Sequence, residues 1–162
     1  MIISLKLRAG AFAALLALVS LSLAMPAVAQ NTGPGSIVAW GYNGNGQTVV
    51  PALPVGLLYT QVAAGASHTV AVRSDGSVVA WGQSAYGLTT VPVLPAGLSY
   101  MQVAAGGYLT VALRSDGSVV AWGQDVNGQT TVPALPVGLL YTQVAAGERH
   151  TVALRSDGSA GA

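Results

Sequence analysis

The chain has no cysteine in 162 residues, and only 7% of its residues are charged. The missing thiols exclude a disulfide, a Cys-ligated zinc, an iron–sulfur centre and a cysteine-linked lipid. Ordinary soluble domains carry about 25% charged residues, so a chain this sparse is neither a disordered polyelectrolyte nor a coiled coil. A formal net charge of +1 also excludes a basic nucleic-acid binder, which would need a field of one sign. Beyond an N-terminal apolar run, no segment carries the 3.6-residue apolar period of an amphipathic helix. There is no phosphate-loop pattern, no paired metal-ligand motif and no glycosylation acceptor. No cofactor and no metal are therefore expected.

What is present divides into two parts. Lys6 and Arg8 precede an apolar run from Ala9 to Met25, which ends in Pro26-Ala27-Val28-Ala29. A positive start, an apolar stretch and a small-x-small end are the marks of an export signal. Residues 1–29 are read as that signal, with cleavage before Gln30 and a short linker over 30–35. The run falls short of the roughly 20 residues that cross a bilayer, so no stable membrane span is expected once it is removed. The expected location is secreted or otherwise extracytoplasmic, in a periplasm or at a cell surface. Cleavage leaves four arginines against four aspartates and one glutamate, a weakly acidic remainder.

That remainder is one unit written three times. Trp40, Trp81 and Trp122 are spaced 41 apart, as are Pro51, Pro92 and Pro133, and Asp75, Asp116 and Asp157. Three β-repeats span residues 36–159, as units 36–76, 77–117 and 118–158. Residues 160–162 form a tail in which Ala160-Gly161-Ala162 replaces the Val-Val-Ala of the other units. Self-similarity at a period near 40 is the mark of a repeat architecture.

Within a unit the signals are those of strands. His68 to Gly82 reads HTVAVRSDGSVVAWG, two β-rich runs around an Asp-Gly turn that tolerates a positive φ. Leu57 to Gly65 supplies a strand upstream, and Thr89 to Val91 a short one downstream. Pro92 ends that last strand and places it on an edge, because proline cannot donate to a ladder. Four short antiparallel strands and one tryptophan per unit describe a propeller blade. The expected fold is all-β, with three four-stranded blades forming a partial, open propeller arc behind an N-terminal signal helix.

The run V-A-A-G-x-x-H-T-V-A-L-R-S-D-G-S-V-V-A-W-G resembles the repeat of the regulator of chromosome condensation family, whose members form seven-bladed β-propellers. Gly128 to Pro133 (GQTTVP) and the exported look are similar to a secreted bacterial β-lactamase inhibitor of the same repeat. The resemblance implies the fold over Ser36 to Ser159. It does not carry over the family's guanine-nucleotide exchange activity, which belongs to a nuclear setting and a full ring. Seven blades at this period need about 290 residues, so the chain is expected to be a piece or a subunit of a larger propeller. Rings of this family are fastened by a blade made from both chain ends. Here the strands near Ile37 to Trp40 and Thr48 to Val50 could join those near Tyr141 to Ala145 and Thr151 to Leu154. Either the arc stays open with exposed edges, or chains self-associate.

Comparison of the copies shows where they differ. After Trp-Gly the units read YNGN (Tyr42 to Asn45), QSAY (Gln83 to Tyr86) and QDVN (Gln124 to Asn127). After Ala-Ala-Gly they read ASH (Ala66 to His68), GYL (Gly107 to Leu109) and ERH (Glu148 to His150). In an up-and-down blade both loops emerge on one rim, and variable loops on a rigid scaffold suit binding. The candidate binding residues are Tyr42, Asn43, Asn45, Tyr86, Tyr108, Asp125, Asn127, Glu148 and Arg149, with Tyr and Arg favoured at interface hot spots. Trp40, Trp81 and Trp122 are expected to pack, and Asp75, Asp116 and Asp157 with Gly76, Gly117 and Gly158 to form turns. His68 and His150 share a position that the middle copy fills with Leu109, so no catalytic role is assigned. The expected function is an exported, non-enzymatic module that binds a protein or surface ligand. Inhibition of an extracellular enzyme such as a β-lactamase, and a truncated product without independent function, stand as alternatives.

Overall fold

The computed structural model describes residues 34–161. The expected signal segment 1–29, most of the 30–35 linker, and Ala162 lie outside the described residues. Among the described residues nine strands form three sheets. β1 (Tyr59–Ala64), β2 (His68–Arg73) and β3 (Val78–Gly82) make the first blade. β4 (Tyr100–Ala105), β5 (Leu109–Arg114) and β6 (Val119–Gly123) make the second. β7 (Tyr141–Ala146), β8 (Thr151–Arg155) and the two-residue β9 (Ala160–Gly161) make the third. All pairings are antiparallel and recur in register: Val70 faces Ala80 in the first blade and Val111 faces Ala121 in the second. This is the expected all-β partial propeller.

The hairpin turns follow from their sequence. Gly76 adopts φ 77°, which a side chain at that position would resist, and its N–H donates to the Arg73 carbonyl at 2.9 Å. The Asp75 carboxylate accepts from both the N–H and the hydroxyl of Ser77, at 2.9 and 2.7 Å, and Asp116 and Asp157 repeat this with Ser118 and Ser159. These hydrogen bonds, the serine hydroxyl foremost, hold all three carboxyls below the usual carboxylate range.

The core lies between the blades. The middle strands β2 and β5 are buried along nearly their whole length, which explains their runs of Val, Ala, Thr and Leu without polar alternation. Val70 and Val72 of the first blade pack with Tyr100, Val103, Ala112 and Trp122 of the second. Val111 and Leu113 do the same with Tyr141, Val144 and Ala153 of the third.

Two expectations need revision. The sheets have three hydrogen-bonded strands, not four: Thr89 to Val91 and its equivalents run beside the sheet without joining its ladder. A turn closed by the Thr90 N–H on the Gly87 carbonyl bends the chain there, and proline follows at Pro92. Side chains secure the segment instead: Tyr59, Tyr100 and Tyr141 donate their hydroxyls to the carbonyls of Pro51, Pro92 and Pro133 at 3.0, 2.9 and 2.8 Å. The tryptophans are also unequal. Trp81 and Trp122 are buried and donate their indole N–H to the carbonyls of Gln47 and Leu88. Trp40 is 83% exposed, because Ser36 to Gly41 has no paired hairpin within the described residues.

Candidate functional site

The rim that carries the variable loops is built by hydrogen bonds between them. Gln83 N–H donates to the Ser67 carbonyl and Gln124 N–H to the Tyr108 carbonyl, each at 2.8 Å. The loop after one blade's Trp-Gly is thereby fixed to the loop between that blade's first two strands. Small residues keep successive blades close. The Ala66 N–H reaches the Gly106 carbonyl, and the Gly107 N–H reaches the Glu148 carbonyl. A Cβ on Gly106 would collide with the Gly147 backbone.

On this frame Tyr86 and Tyr108 meet edge to face, with ring centroids 5.9 Å apart and planes at 74°. Tyr86 follows the first blade and Tyr108 belongs to the second, so the pair bridges two blades. Tyr86 is exposed and stands at φ 58° within the short 3-10 turn Ala85–Gly87. Bulky side chains rarely adopt that region, and such strain collects at functional positions. One blade further on, Asn127 and Arg149 occupy the equivalent places and line one cavity. Arg149 is ion-paired with Glu148 at 3.4 Å, both side chains being largely exposed.

The remaining candidates divide into loop builders and outliers. Asp125 accepts from the Thr130 N–H at 2.8 Å and the Thr131 hydroxyl at 3.2 Å, and Asn43 accepts from the Thr48 N–H at 3.0 Å. These bonds keep the Asp125 carboxyl below its ordinary range. The backbone N–H groups of Asn45 and Asn127 donate to the side chains of Gln47 and Gln129. Tyr42 is exposed and folds over Gly44, apart from the Tyr86–Tyr108 pair.

His68 is fully buried, and its Nε2 lies 2.9 Å from the Thr110 hydroxyl of the next blade. Burial pushes its pKa down. Among the described residues no group of three or more His, Asp or Glu could hold a metal ion. Among them, too, no helix is long and apolar enough to cross a membrane.

Sequence reasoning overlooked the residues that join the blades. Gln61 grips Val103: the Val103 N–H donates to its Oε1 at 2.9 Å, and its Nε2 donates to the Val103 carbonyl at 3.3 Å. Gln102 grips Val144 in the same way, at 3.0 and 3.3 Å. The signal was available, since Gln61, Gln102 and Gln143 recur at the repeat period.

The profile of the regulator of chromosome condensation (RCC1) repeat matches residues 59–88 and 102–129. These two stretches are RCC1 repeats. The chain's repeats superpose on Prp20p from Saccharomyces cerevisiae with a TM-score of 0.58 at 27% identity, covering 68% of this chain and 31% of that one. They are similar also to yeast RCC1 (Prp20) solved with Kap60, with a TM-score of 0.57 at 26% identity, covering 68% and 30%. The ectodomain of the Physcomitrella patens receptor kinase CR4 shares the fold, with a TM-score of 0.58 at 22% identity, covering 75% and 34%. This RCC1-repeat chain thus matches about a third of the length of those structures. No curated protein matches it.

Proposed function

We propose that the chain is an exported, non-enzymatic module that binds a protein partner through the rim carrying Tyr86 and Tyr108. The observation that carries this reading is the aromatic pair itself. Its two rings come from two blades and sit on loops that vary between otherwise similar repeats, Tyr86 exposed and Tyr108 half-buried beside it on the β-frame. Tyr supplies large contact area at low entropic cost, and aromatic anchors dominate interfaces. Arg149 and Glu148 extend the rim with one charge of each sign, as expected of a polar border around an apolar anchor.

Non-enzymatic action is supported by the engagement of the ionisable groups. Asp75, Asp116 and Asp157 are held in turns, Asp125 caps a loop, and His68 is buried against Thr110. Protein binding also has precedent in a protein of similar repeats, since Prp20p was characterised for its binding to Gsp1p and histones. Export is supported by Lys6, Arg8, the apolar run and the Ala27-Val28-Ala29 end.

The test compares the native chain with a Tyr86→Ala/Tyr108→Ala version, each immobilised and exposed to culture medium and cell-surface extract. A partner retained by the native chain and lost by the variant supports the reading. Equal retention, with both chains folded by circular dichroism, overturns it.

A further inference from the structure

The Asp-Gly turns occupy the end of the blades opposite the tyrosine rim. Strand β5 runs from Leu109, next to Tyr108, to Arg114 at the turn, so about 17 Å of strand separates the two ends. At the turn end a groove of about 670 Å³ crosses the middle of the molecule. All three blades wall it: Thr60 comes from β1, Met101 from β4, Leu113 and Arg114 from β5, and Leu140 and Thr142 from the third blade. Met101 and Leu140 are 61% and 50% exposed, so the groove combines apolar walls with a single guanidinium.

The other arginines of the repeats are engaged. Arg149 is ion-paired with Glu148. Arg155 donates from Nε to the Ser159 hydroxyl at 2.6 Å and lies 3.7 Å from Asp157. Arg73, whose Nε is unpartnered, stands beside the Tyr59 hydroxyl, whose pKa burial raises and this guanidinium lowers; Asp75 lines the same small groove. Arg114 has no such company. Its Nε is buried without a hydrogen-bond partner, and no carboxylate lies within ion-pair distance of it among the described residues.

Asp116, two residues on, is turned to other work. Its carboxyl accepts from the hydroxyl and N–H of Ser118 at 2.6 and 2.9 Å; Ser118 is the main cause of its lowered pKa and Arg114 the least. No acidic side chain lines the Arg114 groove. A partly buried cation without a counter-charge loses hydration that nothing in the chain replaces. Beside it the Ser115 oxygen accepts from the Ser99 N–H at 3.1 Å, which leaves the hydroxyl hydrogen to donate.

We propose that this groove takes an acidic side chain, Asp or Glu, from an extended segment of a protein partner. Its carboxylate sits on Arg114 and Ser115, and an adjacent apolar residue covers Met101 and Leu140. A planar guanidinium can pair with a carboxylate through two parallel hydrogen bonds. A nucleic-acid strand does not fit, because Asp75, Asp116 and Asp157 on the same turn end would meet its phosphates. A free phosphate would find one cation and leave the apolar walls bare. This surface lies away from Tyr86 and Tyr108, and the binding reading of that rim can fail without affecting it.

The test titrates the native chain, labelled with heavy nitrogen, with two blocked peptides, acetyl-Leu-Glu-Leu-amide and acetyl-Leu-Gln-Leu-amide, and separately with inorganic phosphate. Magnetic resonance follows the arginine Nε–H signals. The glutamate peptide is expected to shift the Arg114 signal at low millimolar concentration, and the glutamine peptide to leave it in place. Arg114→Gln should weaken binding, read at the Met101 and Thr142 amides, by about 10-fold or more. Arg114→Lys should recover only part of it, since an ammonium keeps the charge but not the paired donors. Arg149→Gln should leave the affinity unchanged. Backbone amide spectra check that each variant folds, and the two-peptide comparison on the native chain decides even where one does not. An Arg114 signal that stays still, or that moves equally with both peptides, overturns the proposal. So does phosphate giving the same shift at equal concentration, which marks a general anion site only.

Discussion

His68 shows how a repeat reports on its own residues. Buried at the blade junction, its ring is held below the ordinary histidine pKa by desolvation, and its Nδ1 has no partner among the described residues. A histidine depressed in the folded state but titrating near pH 6.5 when unfolded binds more protons unfolded, so stability rises with pH through that range. Its contribution is complete above about pH 6.5 and is lost as pH falls below it. Leu109 fills the same position in the second blade, equally buried. His68→Leu should therefore fold and should flatten the dependence of denaturation midpoint on pH between neutral and mildly acidic conditions. An unchanged slope would mean that another group supplies it. The aspartates add a lower transition: their carboxyls are held down by Ser77, Ser118 and Ser159, so further stability is lost below the ordinary carboxylate range.

At the scale of the element, the tryptophan near the end of β3 and of β6 fixes the loop that leads into its own blade. Trp122 fills the junction between two blades and donates to the Leu88 carbonyl, so Trp122→Ala should destabilise by about 3–5 kcal/mol. Trp40→Ala removes an exposed side chain and should change monomer stability by less than about 0.5 kcal/mol; urea titration of both variants checks the contrast. The 41-residue period, the Asp-Gly turns and the β-branched runs made the hairpins legible, and the copy-to-copy differences made the variable rim legible. The fate of Trp40 was not, because burial depends on a neighbouring hairpin rather than on the residue or its strand. The missing fourth strand has a similar cause: β-rich Thr89 to Val91 reads as a strand, but a turn and a tyrosine hydroxyl on the Pro92 carbonyl hold it outside the ladder.

For the whole molecule, cohesion resides between the sheets. A three-stranded blade is too thin to bury its own faces, so Val70, Tyr100 and Trp122 form one core across two blades. Gln61 and Gln102 act as side chains that substitute for a missing strand, satisfying the inner-edge backbone of the next blade. That role was invisible in a single unit, since glutamine on a strand reads as solvent-facing until the neighbouring blade is placed. The direct measurement is amide hydrogen exchange at Val103 and Val144 in the native chain and in Gln61→Ala. The blade-clasp account predicts slow exchange at both sites in the native chain, and in the variant faster exchange at Val103 with Val144 still protected. Unchanged protection of Val103, or equal loss at both sites, would contradict it.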